Sequence, residues 1–286
     1  MQIEDYAPKW KVSTSMALWS VVANNILKVI TLVYPVCAFS AQIRDFLEYG
    51  SSPFDSAEEM FSSIITVIIV VEALSLLAFV SYAHAMSRFA SSQVFWKDER
   101  PIRQARSGIV LLTITLAVGI LVAIANGFSI ALLVVFVCTW VIDIIAYLII
   151  KDGFSQLSQS PHFDAKAQRG ASDLKSAANF SIISMVTPFI AGAILVILAV
   201  MIYAAASAPS YQAETYDPFG YMEQSAEKAK GIYEATRTMG MLTALFSAIS
   251  LFVMALFEIL VIFLSINGWK NIHKGKLVGS TSNSSK

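Results

Sequence analysis

Charge is what this sequence has least of. Only 14% of its 286 residues are Asp, Glu, Lys or Arg, 56% are hydrophobic, and mean hydropathy is +0.65. A soluble domain carries about a quarter charged residues, so that class is excluded and a polytopic membrane protein is indicated. Cysteine is nearly missing too. Cys37 and Cys138 both fall in apolar segments, where each reads as a small hydrophobe rather than part of a disulfide framework or a thiolate metal site.

The usual catalytic signatures are also lacking. There is no His-Glu-x-x-His, no Gly-x-Ser-x-Gly elbow and no Gly-x-x-x-x-Gly-Lys-Ser/Thr phosphate cradle, so the chain reads as a non-enzyme with no cofactor. His84, His162 and His273 are too scattered to suggest one metal site and read as surface residues. Net charge is zero and no basic patch is interleaved with aromatics, which argues against nucleic acid as a partner. No basic stretch, short apolar run and small-residue cleavage site opens the chain, so a cleaved signal peptide is not expected.

What is present is a series of long apolar runs. Ile109–Ile124 and Ile130–Ile150 flank Asn126-Gly127-Phe128-Ser129, the pattern of a chain that crosses a bilayer, reverses and returns. A hydrocarbon core of roughly 30 Å takes about 20 helical residues, and its dryness obliges every backbone amide to pair within its own segment. The expected fold is all-α: a polytopic membrane bundle of six transmembrane helices arranged as three hairpins. The hairpins span about residues 17–95, 104–163 and 176–275, within a single membrane domain of residues 1–276. Residues 205–238 form the longest connection, becoming a charged helix from about Met222 that runs into the sixth span, and 277–286 read as a disordered tail.

Local signals refine this outline. Trp10, between Lys9 and Lys11, suits a segment at headgroup level, with Ser13, Thr14 and Ser15 as helix caps. Asp55-Ser-Ala-Glu58 has the form of a capping box for the second span, and Pro161 and Gly170 are expected to break the chain between the fourth and fifth. Fifteen Lys and Arg fall before span one, after six, and between spans two and three and four and five, against four in the other connections. The positive-inside rule then puts both termini in the cytoplasm, and the small size and short connections suggest a bacterial inner membrane. Trp10, Trp96 and Trp269 share that inner side.

Lys28, Glu72, Asp143 and Glu258 fall inside the apolar spans, where a charge costs roughly 2.5–3.5 kcal/mol on insertion scales. Lys28 and Glu72 lie at similar depth on consecutive antiparallel spans and suit an ion pair, with Asn24 and Ser75 near enough to join it. Asp143 and Glu258 have no evident basic partner in sequence. These residues form a candidate polar network or ion path. Thr115, Gly119, Ala123 and Gly127 make a small-residue ladder for close helix contact, and Gly240, Ala244 and Ala248 a second. A weak internal repeat matches Asp152-Gly-Phe154 with Asn267-Gly-Trp269, a register that superposes Asp143 on Glu258. The implied function is a scaffold or accessory subunit that binds a membrane-protein partner or its own copy; the alternative is a small transporter or ion-conducting protein.

Overall fold

The computed structural model describes residues 7–49, 53–91, 100–126, 130–207 and 220–276, and all its elements there are helices: α1 (Ala7–Tyr49), α2 (Pro53–Ser91), α3 (Arg100–Asn126), α4 (Ile130–Leu157), α5 (Ala165–Ser207) and α6 (Gly220–Lys274). Stretches of four of them, Thr66–Ser91, Arg100–Ala125, Ala165–Ala205 and Ala229–Lys274, are long and apolar enough to cross a membrane. α1 packs on α2, α2 on α3 and α3 on α4. The reversal expected at Gly127-Phe128-Ser129, the expected tail 277–286 and Trp96 lie outside the described residues. The chain divides into two compact units, one of Met1–Ile182 with Leu260–Lys286, the other of Ile183–Ile259.

Helix boundaries follow local chemistry, with some departures from expectation. α1 is already helical at Ala7, so Ser13 and Thr14 are interior residues rather than caps. Both are buried, and their hydroxyls donate back to carbonyls one turn earlier, Ser13 to Lys9 and Trp10 and Thr14 to Trp10. α2 starts at Pro53, a residue whose fixed φ and missing N–H suit a first turn, two positions before the expected capping box. Pro161 does fall in the break after α4, and α5 is started by Asp164, whose Oδ1 accepts from Ala167 N at 2.8 Å. Gly170 breaks nothing: it lies inside α5, where a Cβ would come within 2.5 Å of the Gly268 carbonyl of α6. The missing side chain serves close approach there. α6 runs 55 residues without interruption, as the charged stretch leading into its apolar run suggested.

The core of the first unit is an aromatic cage. Trp269 is fully buried, with Tyr82, Phe89 and Phe154 at 5.8–6.0 Å between ring centroids in edge-on contact, and Phe89 in turn lies 4.9 Å from Trp10. Trp10 also meets Phe163 edge-on at 5.5 Å. Trp10 is therefore a core residue rather than a ring at headgroup level, and Trp269 is buried with it. Gly153 lets α4 approach the Pro101 carbonyl and Ala105 of α3, and Gly108 admits Ala146 and Ile150. Around these contacts the buried set is dominated by alanines, Ala17, Ala85, Ala105, Ala146, Ala167 and Ala171, all at 0% exposure. Small residues at helical spacing bring backbones together where lipid offers no hydrophobic drive. Both cysteines are exposed, so neither packs inside the chain.

Candidate functional site

Lys28 reaches the interior from the face of α1 that also carries Asn24, one turn earlier, and is partly buried. Its amino group lies within electrostatic range of two carboxyl groups, Glu72 of α2 and Asp143 of α4. An ion pair between Lys28 and Glu72 was the expectation from depth; the structure puts Lys28 within electrostatic range of Glu72. Asp143 was not expected to have a basic partner; the fold brings Lys28 into electrostatic range across a separation of more than a hundred positions in the chain. Asp143 also accepts a hydrogen bond from the buried Thr115 hydroxyl of α3. Ser75 is buried on α2, one turn beyond Glu72.

Glu258 belongs to the other unit. Its Oε1 accepts from the Ser184 hydroxyl of α5 at 3.2 Å, and Ser184 is 1% exposed. Each of these two acids thus receives a hydroxyl hydrogen bond from the preceding helix. In the same unit Tyr203 and Thr236 share a hydrogen bond at 3.1 Å between α5 and α6.

A cavity of about 80 Å³ opens within the first unit, room for several waters by the volume one water needs. Asn24, Asn25 and Lys28 line it from α1, Tyr82 from α2, Tyr147 from α4, Ser181 from α5 and Ser265 from α6, among apolar residues that include Ile109 and Leu174. The Asn24 Oδ1 is buried with no hydrogen-bond partner, so Asn24 does not join the hydrogen-bonded network expected of it. Its neighbour Asn25 makes the interhelical contact instead, donating from Nδ2 to Ser265 Oγ at 3.2 Å. Tyr82 Oη accepts from Trp269 Nε1 at 2.9 Å, anchoring one wall to the aromatic cage. Glu72 and Asp143 do not line the cavity.

Sequence reasoning missed Asn25, Ser265, Tyr82 and the Ser20–Ser81 hydrogen bond of 2.8 Å between α1 and α2. The signal available was the spacing of Ser13, Ala17, Ser20, Val21 and Asn25, a helical stripe of small and polar residues that is buried throughout. His273 is not a plain surface histidine either, since its Nδ1 lies 3.0 Å from the Thr14 hydroxyl. No cluster of metal-ligating side chains occurs among the described residues.

Among the described residues, the small-residue ladders do not make the tight contacts expected of them. Among the described residues a Cβ on Gly119 or Gly240 would meet nothing within 4 Å, Ala123 is only partly covered and Ala248 is exposed. Gly127 and the side chain of Ala244 lie outside the described residues. Thr115 alone is buried, through its bond to Asp143. The close contacts fall instead on Gly108, Gly153, Gly170 and Gly268, nearer the basic ends of the helices.

The class these features define is that of all-helical proteins with helices long and apolar enough to span a membrane. Beyond the class, the chain matches no family model, no curated protein and no solved structure in the comparisons made.

Proposed function

We propose that the chain is a six-span integral membrane protein of a bacterial-type inner membrane, with both termini cytoplasmic, that acts as a scaffold or accessory subunit of a membrane complex. The observation that carries this reading is the pairing of the acids Asp143 and Glu258 with hydroxyls of neighbouring helices. Asp143 is held by Thr115 and lies in the field of Lys28, Glu258 is held by Ser184, and the cavity walls include neither Glu72 nor Asp143. Interhelical polar bonds of this kind fix a bundle and contribute about 0.6–2 kcal/mol each, whereas a conducting path needs acids facing shared water.

Correspondences between the second and third hairpins, which we read as copies of one hairpin, support the same architecture. Thr115 and Asp143 stand to α3 and α4 as Ser184 and Glu258 stand to α5 and α6, each pair joined by a hydroxyl-to-carboxylate bond. At the same spacing along both hairpins, Gln104 donates to Asp152 at 3.2 Å and Asn267 donates to Asp173 at 3.2 Å, so the amide and the acid exchange helices. Gly153-Phe154 and Gly268-Trp269 take corresponding places, and the buried Ile102, Ala105, Ile109, Leu112 and Thr115 correspond to Ala171, Leu174, Ala178, Ser181 and Ser184.

The experiment is purification of the tagged protein from its native membrane in mild detergent with mass spectrometry of what accompanies it. The scaffold reading expects a partner in stoichiometric amount. A protein that emerges alone, and whose liposomes pass protons or ions in a manner abolished by Glu72→Gln, would replace it with the transporter reading, whose support is the unpartnered Asn24 carbonyl beside Lys28 in the cavity.

A further inference from the structure

A groove separate from the central cavity lies where the beginning of α1 meets the end of α6, lined by Lys11, Val12, Ser15, Met16, Trp19 and His273. Its composition is divided. Lys11, exposed, supplies an ammonium, Ser15 a hydroxyl and His273 a ring whose Nδ1 meets Thr14; since the Thr14 proton goes to the Trp10 carbonyl, Nδ1–H donates there, and Nε2 donates to an anion in the imidazolium form. Lys270 and Lys274, both exposed, flank His273 on the last turns of α6 and add positive charge at the same end. Val12 and Trp19 form the apolar part, and the same stripe continues down α1 at every seventh residue: Val12, Trp19, Ile26 and Val33 are 54%, 67%, 57% and 51% exposed. That is a line of large apolar side chains roughly 30 Å long by helix rise, with a cationic, hydrogen-bonding head at one end.

We propose that this groove binds one anionic phospholipid, its phosphate against Lys11, Ser15 and His273 and its acyl chains along Trp19 and Ile26. Charge complementarity selects the headgroup, because a zwitterionic lipid brings no net charge to a cluster of lysines, and the apolar stripe selects a lipid over a free anion. Basic pockets between helices on the cytoplasmic side bind acidic headgroups for this reason, and the proposal rests on the membrane placement argued above.

The test uses the full chain in neutral detergent, titrated with phosphatidylglycerol or phosphatidylcholine carrying brominated acyl chains. Emission from Trp19 is taken as the difference between the wild type and Trp19→Phe. Half-quenching is expected at about five-fold less phosphatidylglycerol than phosphatidylcholine for each basic group engaged. Lys11→Gln and His273→Gln should each narrow that difference while quenching by phosphatidylcholine and the helical circular dichroism stay as in the wild type. Equal quenching by the two lipids in the wild type would overturn the site and leave the membrane reading intact; quenching by neither would overturn both. Displacement of phosphatidylglycerol by millimolar inorganic phosphate would reassign the groove to a soluble anion, and displacement by a poly-glutamate peptide would reassign it to an acidic protein partner.

Discussion

Gly170 and Gly268 stand where two backbones meet, while Gly192 and Gly240 face open space, and the two regions they mark are held by different forces. In the unit of Met1–Ile182 with Leu260–Lys286, the helix ends interlock around Trp269 through alanines, glycines and edge-on rings. In the unit of Ile183–Ile259, large apolar side chains such as Val196, Ile197, Leu251 and Phe252 are about two-thirds exposed, at 60–66%. Water would not tolerate that second surface, but a bilayer does, because lipid tails solvate Leu and Phe as well as a protein core does. The contrast teaches that burial and hydrophobicity part company here: both regions expose large apolar side chains, Leu77 and Leu121 of the first at 66%, and what the first adds is a set of helix ends interlocked by shape.

Breaking the cage should have the largest effect. Trp269→Ala is expected to cost about 3–5 kcal/mol in thermal or denaturant unfolding in detergent, whereas Phe252→Ala, at an exposed position, should stay within about 0.5 kcal/mol. The glycines sharpen the contrast with a single methyl group. Gly170→Ala must push a Cβ against the Gly268 carbonyl and should cost about 1–3 kcal/mol, while Gly240→Ala should be neutral or add up to about 1 kcal/mol of helix stability by the same assay.

The two hydroxyl–carboxylate pairs allow a finer comparison. Thr115→Val and Ser184→Ala should each cost about 1 kcal/mol, and Thr115→Ser should restore most of the first loss. In a double-mutant cycle Lys28→Gln should change the cost of Thr115→Val, because both groups act on Asp143, and leave the cost of Ser184→Ala unaltered. The smallest effect belongs to the exposed amide contact: Gln104→Ala should alter unfolding by no more than about 0.5 kcal/mol.

Residues within one helix were the most readable. The apolar runs gave the helices, the charged stretch from Met222 joined the last of them, and Pro161 marked the break before α5. Depth along consecutive spans suggested Lys28 and Glu72 as neighbours, and Lys28 lies within electrostatic range of Glu72. The reading failed where a residue type has two uses. Gly170 resembles a breaker and serves as a packing site; Trp10 resembles an interfacial anchor and is 3% exposed in the core; Gly119 and Gly240 resemble contact ladders and touch nothing described. Which use applies depends on whether a second helix passes that face, and helix periodicity carries no information about neighbours distant in sequence.

By itself the sequence determined that the chain is helical, with runs long and apolar enough to cross a bilayer, because a low charge content and long apolar runs act through local hydrogen bonding and transfer energy, both properties of the residues themselves. Only the tertiary structure decided that Asp143 would share Lys28 with Glu72, that Asn25 rather than Asn24 would bridge to α6, and that His273 would close against Thr14 beside Lys11. Those pairings join residues far apart along the chain. They exist because glycine and alanine contacts hold the helices in one register, and that register is a property of surfaces fitted together.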